Sequence, residues 1–259
     1  MKTAIAIAAH PDDIEFMMAG TLLLLKTKGY EIHYLNLAKG NLGTAEVDQE
    51  TINQIRLKEA KQSAALLGAH FHAPFCNDLE IFYEEKLLRQ LAAIIRDVRP
   101  SVVLTHSPED YMEDHTSTCR LAVTAVFARG MRNFKTIPAH EAGNYDCTIY
   151  HALPHVLTDS FGKPVVPSSF VDITSVMPSK MEALRAHQSQ QAWLDASQKL
   201  NSYLQTMEDI SIRVGKMSNV FKYAEGWRRH QHVGFCAEDA DPLKDLGEDY
   251  LVVAEKRNR

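Results

Sequence analysis

At 259 residues, 45% of them apolar, the chain is long enough for one large α/β domain, or one domain with a small appendage, around a sizeable core. A formal charge of −5 gives no electrostatic footprint for nucleic acid, and no Lys/Arg cluster suggests an anionic membrane surface. Nowhere do ~18 apolar residues run together, so no transmembrane helix is expected. The four cysteines are widely spaced, with no CxxC pair, which fits a reducing, cytoplasmic setting.

Met1-Lys2 followed by Thr-Ala-Ile-Ala-Ile-Ala-Ala resembles the start of a secretory signal. The run is at the lower limit for such a core, and cleavage would fall beside His10-Pro11-Asp12-Asp13; a first strand is the expectation. Thr3–Ala9 is a continuous apolar run without helical phase, as for a strand buried on both faces. Phe16 to Lys28 carries Met17, Met18, Leu22, Leu23 and Leu25 at helical spacing and stops at Gly29, a natural C-cap. Glu31–Leu37 returns to strand character, which completes a β-α-β unit. The loop Lys39-Gly40-Asn41-Leu42-Gly43-Thr44 has two glycines, but not at Walker or dinucleotide spacing.

Thr51–Leu67 predicts an amphipathic helix ending at Gly68, His70–Phe75 a third strand, and Leu87–Val98 a helix that stops before Pro100. Val102–Thr105 predicts a fourth strand, the loop His106 to Glu113 follows, and a helix is expected from about Thr116 to Arg132. Four strand–helix alternations argue for an α/β, Rossmann-like, doubly wound and mainly parallel sheet, with helices on both faces and a C-terminal elaboration. Beyond it, Ile149–Leu153, Val156–Thr158 and Ser169–Ile173 read as strands. Pro178 starts a helix carrying Met181, Leu184 and His187, and a longer helix spans roughly Ala192 to Met217; Tyr223 to Val253 has no clear phase. One domain over residues 1–259 is expected, with 1–135 as the βα core and 136–259 completing the site.

Chemistry concentrates at His10, Asp12 and Asp13, in the first strand–helix turn, where ligands of doubly wound sheets bind. Imidazole and carboxylate suit Zn²⁺, with Fe²⁺ or Co²⁺ as alternatives. A catalytic zinc normally takes three protein ligands, so a third must come from another strand end. The fourth strand delivers the acidic loop His106 to Asp114, closed by His115 at a helix start.

His-Pro-Asp-Asp after strand one, with an Asp-His pair entering the helix after strand four, resembles the PIG-L/LmbE-like zinc-dependent N-deacetylase family. Arg56 and Glu59 in Ile-Arg-Leu-Lys-Glu-Ala are similar to its Arg-x-x-Glu helix. Asp78 falls where these enzymes carry an acidic residue, and Lys180 to Gln190 and Tyr223-Ala-Glu-Gly-Trp227 resemble its later signatures. The resemblance implies metal ligands His10, Asp13 and His115, with Asp12 as general base. It implies removal of an N-acyl, usually N-acetyl, group from an amino-sugar conjugate such as an N-acetylglucosamine derivative. The metal lowers the pKa of a water to ~7 and polarises the carbonyl, and Asp12 takes the proton and can return it to the departing amine.

One position departs from the family pattern. Where relatives have His-Pro-Asp-His, this chain has Met112-Glu113-Asp114-His115, and Met112 cannot donate a hydrogen bond. His106, Tyr111 and His155 are candidates for the missing role, with His155 preferred. Asp114 is expected to orient a metal-binding neighbour, and Arg56 and Asp78 to contact substrate. Homo-oligomers are common in the family, whereas a nucleic-acid or membrane partner is not expected. Blander assignments compete: His10 as a core histidine on Asp13, Asp114 as an ordinary N-cap, Arg56 with Glu59 as a surface pair, Asp78 as a turn residue. A non-catalytic sugar- or nucleotide-binding module is the alternative function. Phosphoester hydrolysis is disfavoured by the acidic loops.

Overall fold

The computed structural model describes residues 2–191 and 203–254. Its strand β1 (Thr3–Ala8) is buried along its whole length, which explains the unbroken apolar run. Ala4, Ala6 and Ala8 enter one core, and Ile5 and Ile7 the other. Around it lie β2 (Glu31–Asn36), β3 (His70–His72), β4 (Val102–Thr105) and β5 (Thr148–Ala152). These five form a parallel sheet in the order β3-β2-β1-β4-β5. Three antiparallel strands extend it past β5: first β7 (Ala224–Arg229), then β6 (Ser169–Asp172), then β8 (Leu251–Val253).

One core takes side chains from α1 (Asp13–Met17), α2 (Ala19–Thr27), α3 (Gln49–Leu67), α6 (Met177–Arg185) and α7 (Tyr203–Ser218). The opposite core takes them from α4 (Glu85–Val98) and α5 (Glu113–Phe127). Helices on both faces of a mixed, mainly parallel sheet make the fold α/β and Rossmann-like.

The helix expected over Phe16 to Lys28 is two helices, divided at Met18. The cause lies far along the chain. Glu225 accepts from Gly20 N at 2.8 Å and Thr21 N at 2.7 Å, which draws off two N–H groups that a continuous helix would bond internally. Gly20 is needed there, because a Cβ would lie 2.5 Å from Ile173 Cγ2. Val156–Thr158 is not a strand: Leu157 has a φ of 62° and the segment makes one isolated bridge, Thr158 to Pro164. α5 begins at Glu113, three residues before the predicted start, and gives way to a 3-10 turn at Ala128. The part of the predicted Ala192–Met217 helix before Tyr203 lies outside the described residues. Among the described residues no helix is long and apolar enough to cross a membrane.

Candidate metal centre and active site

β1 and β4 are neighbours in register, Ile7 opposite Thr105, so the turns that follow them open side by side at one sheet edge. The β1 turn supplies His10, Asp12 and Asp13; the β4 loop and the first turn of α5 supply Asp110, Asp114 and His115. His10, Asp13 and His115 each offer a donor atom, all within 4.8 Å of one another. Asp13 stands at the centre. Its Oδ2 accepts from the His10 backbone N at 2.7 Å and lies 3.4 Å from His10 Nδ1, and its Oδ1 is 3.4 Å from His115 Nε2.

Each imidazole has a carboxylate behind it, hydrogen-bonded in the case of His10 and at ion-pair distance in the case of His115. Asp114 Oδ2 lies 2.9 Å from His10 Nε2, and Asp110 Oδ2 lies 3.2 Å from His115 Nδ1. His10 Nδ1 and His115 Nε2 are thereby turned toward Asp13, the arrangement that orients metal-ligating histidines. Burial works to lower both imidazoles, but the carboxylates outweigh it: Asp114 and Asp13 raise His10 to about 10, and Asp13 and Asp110 raise His115 to about 9. A field that holds two extra protons on buried rings is one that favours a cation, and the donor set fits a divalent metal. A second grouping, His106, Asp110 and His115, also comes within range. There His106 Nε2 already accepts from Ala9 N at 2.9 Å, and its ring stacks on His115 at 4.0 Å.

Asp12 caps α1 with a φ of 106°, a conformation rare outside glycine and found where surrounding structure enforces it. Its Oδ2 accepts from the Tyr203 hydroxyl at 2.5 Å and lies 3.8 Å from Arg56 Nη2. Burial holds Asp12 above the ordinary carboxylate range, against the pull of Arg56 and with a push from Asp13. A raised, buried carboxylate beside the donor set has the character of a general base. Asp13 is held well below that range: burial opposes this, but His115, His10 and His106 prevail.

The two carboxylates and both histidines line one cavity of about 370 Å³, together with Gly40, Leu42, Arg56, Asp78, Leu79, Tyr111, Met112, His155 and Tyr203. His10, Asp12, Asp13, Arg56, Asp78, His115 and His155, all expected in the site from the sequence, are on its wall, and Asp114 is behind His10. Arg56 is buried and donates through Nη2 to the Pro11 carbonyl at 2.6 Å. It makes no surface pair with Glu59, whose carboxylate accepts from Ser189 N and Oγ. Gly40, at φ 75°, is where a Cβ would strike Arg56 Nε at 2.4 Å. Asp78 accepts from Gly40 N at 2.7 Å and Leu42 N at 3.0 Å, so it also shapes the cavity's glycine loop. His155 packs edge-on against Phe16, ring centroids 4.8 Å apart, and burial lowers its pKa. Of the other candidates for the position-112 role, Tyr111 is on the wall and His106 is not.

Sequence reasoning missed Tyr203 and left Asp110 unassigned within its acidic loop. It noted two late signatures without their connection. Lys180 Nζ donates to Glu225 Oε1 at 2.7 Å, both side chains buried, and Trp227 Nε1 donates to Thr21 Oγ1 at 2.9 Å. These contacts fix the start of α2 behind the His10–Asp13 turn.

Residues 5–126 match the PIG-L family, GlcNAc-PI de-N-acetylase. The chain is 34% identical to diacetylchitobiose deacetylase of Thermococcus kodakarensis, over 88% of this chain and 83% of that one. It is 27% identical to 4-oxalmesaconate hydratase of Pseudomonas putida, over 73% and 74%. The structure superposes on N,N'-diacetylchitobiose deacetylase from Pyrococcus horikoshii with a TM-score of 0.75 at 26% identity, covering 93% of this chain and 88% of that chain. With this extent of identity over nearly the whole chain, and the donor set in place at paired strand ends, the chain belongs to the PIG-L family.

Proposed function

We propose that this chain is a metal-dependent N-deacetylase acting on an amino-sugar conjugate, with His10, Asp13 and His115 as ligands and Zn²⁺ as the metal. The observation that carries it is the gathering of these three donors and Asp12 in one cavity, in a chain whose relatives include a diacetylchitobiose deacetylase. A metal bound there would acidify a water and polarise the acyl carbonyl. Asp12 takes the proton of the attacking water at one carboxylate oxygen and returns it to the departing amine, while Tyr203 holds its Oδ2. Arg56 and Asp78 bind sugar hydroxyls. His155, kept neutral by burial, donates to the carbonyl oxygen in place of the histidine absent at 112. The four cysteines are unpaired, in keeping with a cytoplasmic enzyme.

The hydratase relative raises a second reading, addition of water to an unsaturated acid. A polycarboxylate substrate needs cations, and Arg56 is the only Lys or Arg among the described cavity residues. The test is acetate release from N-acetylglucosamine derivatives by metal-loaded protein. Release that is abolished by chelation, and by Asp12→Asn with metal still bound, supports the proposal. Hydration of an unsaturated acid without acetate release refutes it. No bound metal with His10 and His115 intact would favour a non-catalytic module.

A further inference from the structure

A second cavity, of about 200 Å³, opens between α3 and the carboxyl ends of β2 and β3, and Arg56 lines it as well as the first. Crevices outside the carboxyl ends of the strands are where doubly wound sheets take ligands. The volume is below the ~300 Å³ at which drug-sized sites begin, which sets the scale at a small metabolite.

The polar atoms on its wall are not satisfied by one another. Asn36 is 3% exposed; its Nδ2 donates to the Tyr34 hydroxyl at 3.0 Å, and its Oδ1 is buried without a partner. Asn53, on α3, buries an unpartnered Oδ1 as well. Arg56 donates to Pro11 through Nη2, but its Nε and Nη1 are unpartnered. Gly40, on the wall of the first cavity, sits against the Nε–Nη2 edge of that guanidinium, which leaves Nη1 at the corner remote from it. Buried polar atoms are ordinarily hydrogen-bonded, so several orphans around one cavity mark an occupant.

The charges define it further. Among the described residues, the titratable groups on the wall are Lys39, Glu50, Arg56 and His72. His72 is neutral, lowered by burial, and its Nε2 lies 2.8 Å from His33 Nδ1 in a hydrogen bond. Lys39 and Glu50 bond neutral partners, Asn77 and Gln54, and keep their charges opposed across the cavity. The Arg56 charge is offset by Asp12, 3.8 Å from Nη2, and by Glu59 and Asp78. With no surplus of positive charge, the cavity suits a dipolar, net-neutral ligand better than a net anion. The two amide oxygens need two donors, which one hydroxyl cannot supply and a primary ammonium can.

We propose that this cavity is a second binding site, for an α-amino acid with a small apolar side chain. The carboxylate accepts from Arg56 Nη1 and Lys39 Nζ, the ammonium donates to Asn36 Oδ1 and Asn53 Oδ1, and the side chain lies among Ala38, Ala60 and Phe71, which complete the wall. The site does not depend on the chemistry at His10 and Asp13. Arg56 serves both cavities and is left unchanged in the test.

Calorimetry on the wild-type chain should give L-alanine a Kd of about 1 mM or tighter. Propionate, which lacks the ammonium, and L-alaninamide, which lacks the carboxylate, should each bind about tenfold more weakly or worse. Asn53→Leu removes one acceptor and should weaken L-alanine by about tenfold. Ala73→Phe adds bulk at an exposed position of the wall and should abolish binding; an unchanged melting temperature without ligand shows that a variant is folded, and one folded variant suffices. A crystal structure with L-alanine should place it between Asn36 and Asn53. The site is overturned if the wild type does not bind L-alanine at about 10 mM, if propionate binds as tightly, if a folded variant binds undiminished, or if the amino acid is found at His10, Asp13 and His115 instead.

Discussion

The joint between the late signatures and the active-site turn makes a quantitative prediction. Lys180 Nζ and Glu225 Oε1 are 2.7 Å apart with side chains 0% and 2% exposed. Their Coulomb attraction is about 6 kcal/mol at an effective dielectric of ~20, offset by several kcal/mol of desolvation for each ion. The net value of the pair is small, but breaking it is not. Lys180→Met leaves a buried carboxylate with only the Gly20 and Thr21 N–H groups, and Glu225→Gln leaves a buried ammonium. Each is expected to cost about 3–5 kcal/mol, lowering the melting temperature by about 10 °C for a chain of this size. The double variant Lys180→Met/Glu225→Gln should cost at least about 2 kcal/mol less than the sum of the singles. Urea denaturation with a common m-value reads these differences directly. A single-variant cost below about 1 kcal/mol, or strict additivity in the double, would refute the claim that this pair fixes the start of α2.

Zinc affinity should rise about ten- to hundredfold per pH unit between about pH 6 and 8, because His10 and His115, raised to about 10 and 9, must release protons to bind it; calorimetry in buffers of different ionisation enthalpy counts them, and a pH-independent affinity would overturn the ligand assignment. Tyr203→Phe removes a charge-assisted hydrogen bond to Asp12 and should lower kcat about 10- to 100-fold with KM little changed. His155→Leu should cost about 10²–10³ in kcat while His155→Gln, which keeps an N–H, retains most of it; equal losses would rule out the hydrogen-bonding role. His151, lowered to about 4 by burial, with His230 and Arg228 adding to the shift against the pull of the His106 carbonyl, binds its proton less tightly folded than unfolded. Its stabilisation is thus complete above about pH 6.5 and lost as pH falls toward 4, by up to roughly 3 kcal/mol. His151→Asn should flatten the urea midpoint between pH 7.5 and 5.

The parts legible in the sequence are those whose cause is local. β1 and β4 are buried on both faces, so their apolar runs survive tertiary context, and the turns after them are where a doubly wound sheet binds ligands. Helix α3 announced itself by period and by Gly68, which adopts the left-handed C-cap. What stayed hidden is set by distance along the chain. Tyr203 reaches Asp12 across 191 residues, and nothing local marks one tyrosine among nine. The break at Met18 depends on Glu225, some two hundred residues away. The order β5-β7-β6-β8 exchanges β6 and β7 relative to the chain, because β7 enters antiparallel beside β5 and β6 then packs outside it. Among Glu109, Asp110, Glu113 and Asp114, only geometry separates the two carboxylates that face histidines.

Position 112 bears on which residue we propose to face the acyl carbonyl. Met112 sits at the N-cap of α5 without a side-chain cap, its N–H on Asp110 Oδ1 and its carbonyl accepting from His115 N and Thr116 N. The backbone there anchors His115 whatever the side chain. A methionine keeps that geometry and gives up the hydrogen-bond donor. Two wall residues can restore one. Tyr111 stays protonated, burial having raised its phenol, but it is 43% exposed, and a donor there competes with solvent. His155 is more deeply buried and neutral, and it packs against Phe16, which lines the same cavity as Asp12. A desolvated, fixed donor stabilises developing charge more than an exposed one. On that argument the donor we propose for the carbonyl oxygen is His155 rather than Tyr111.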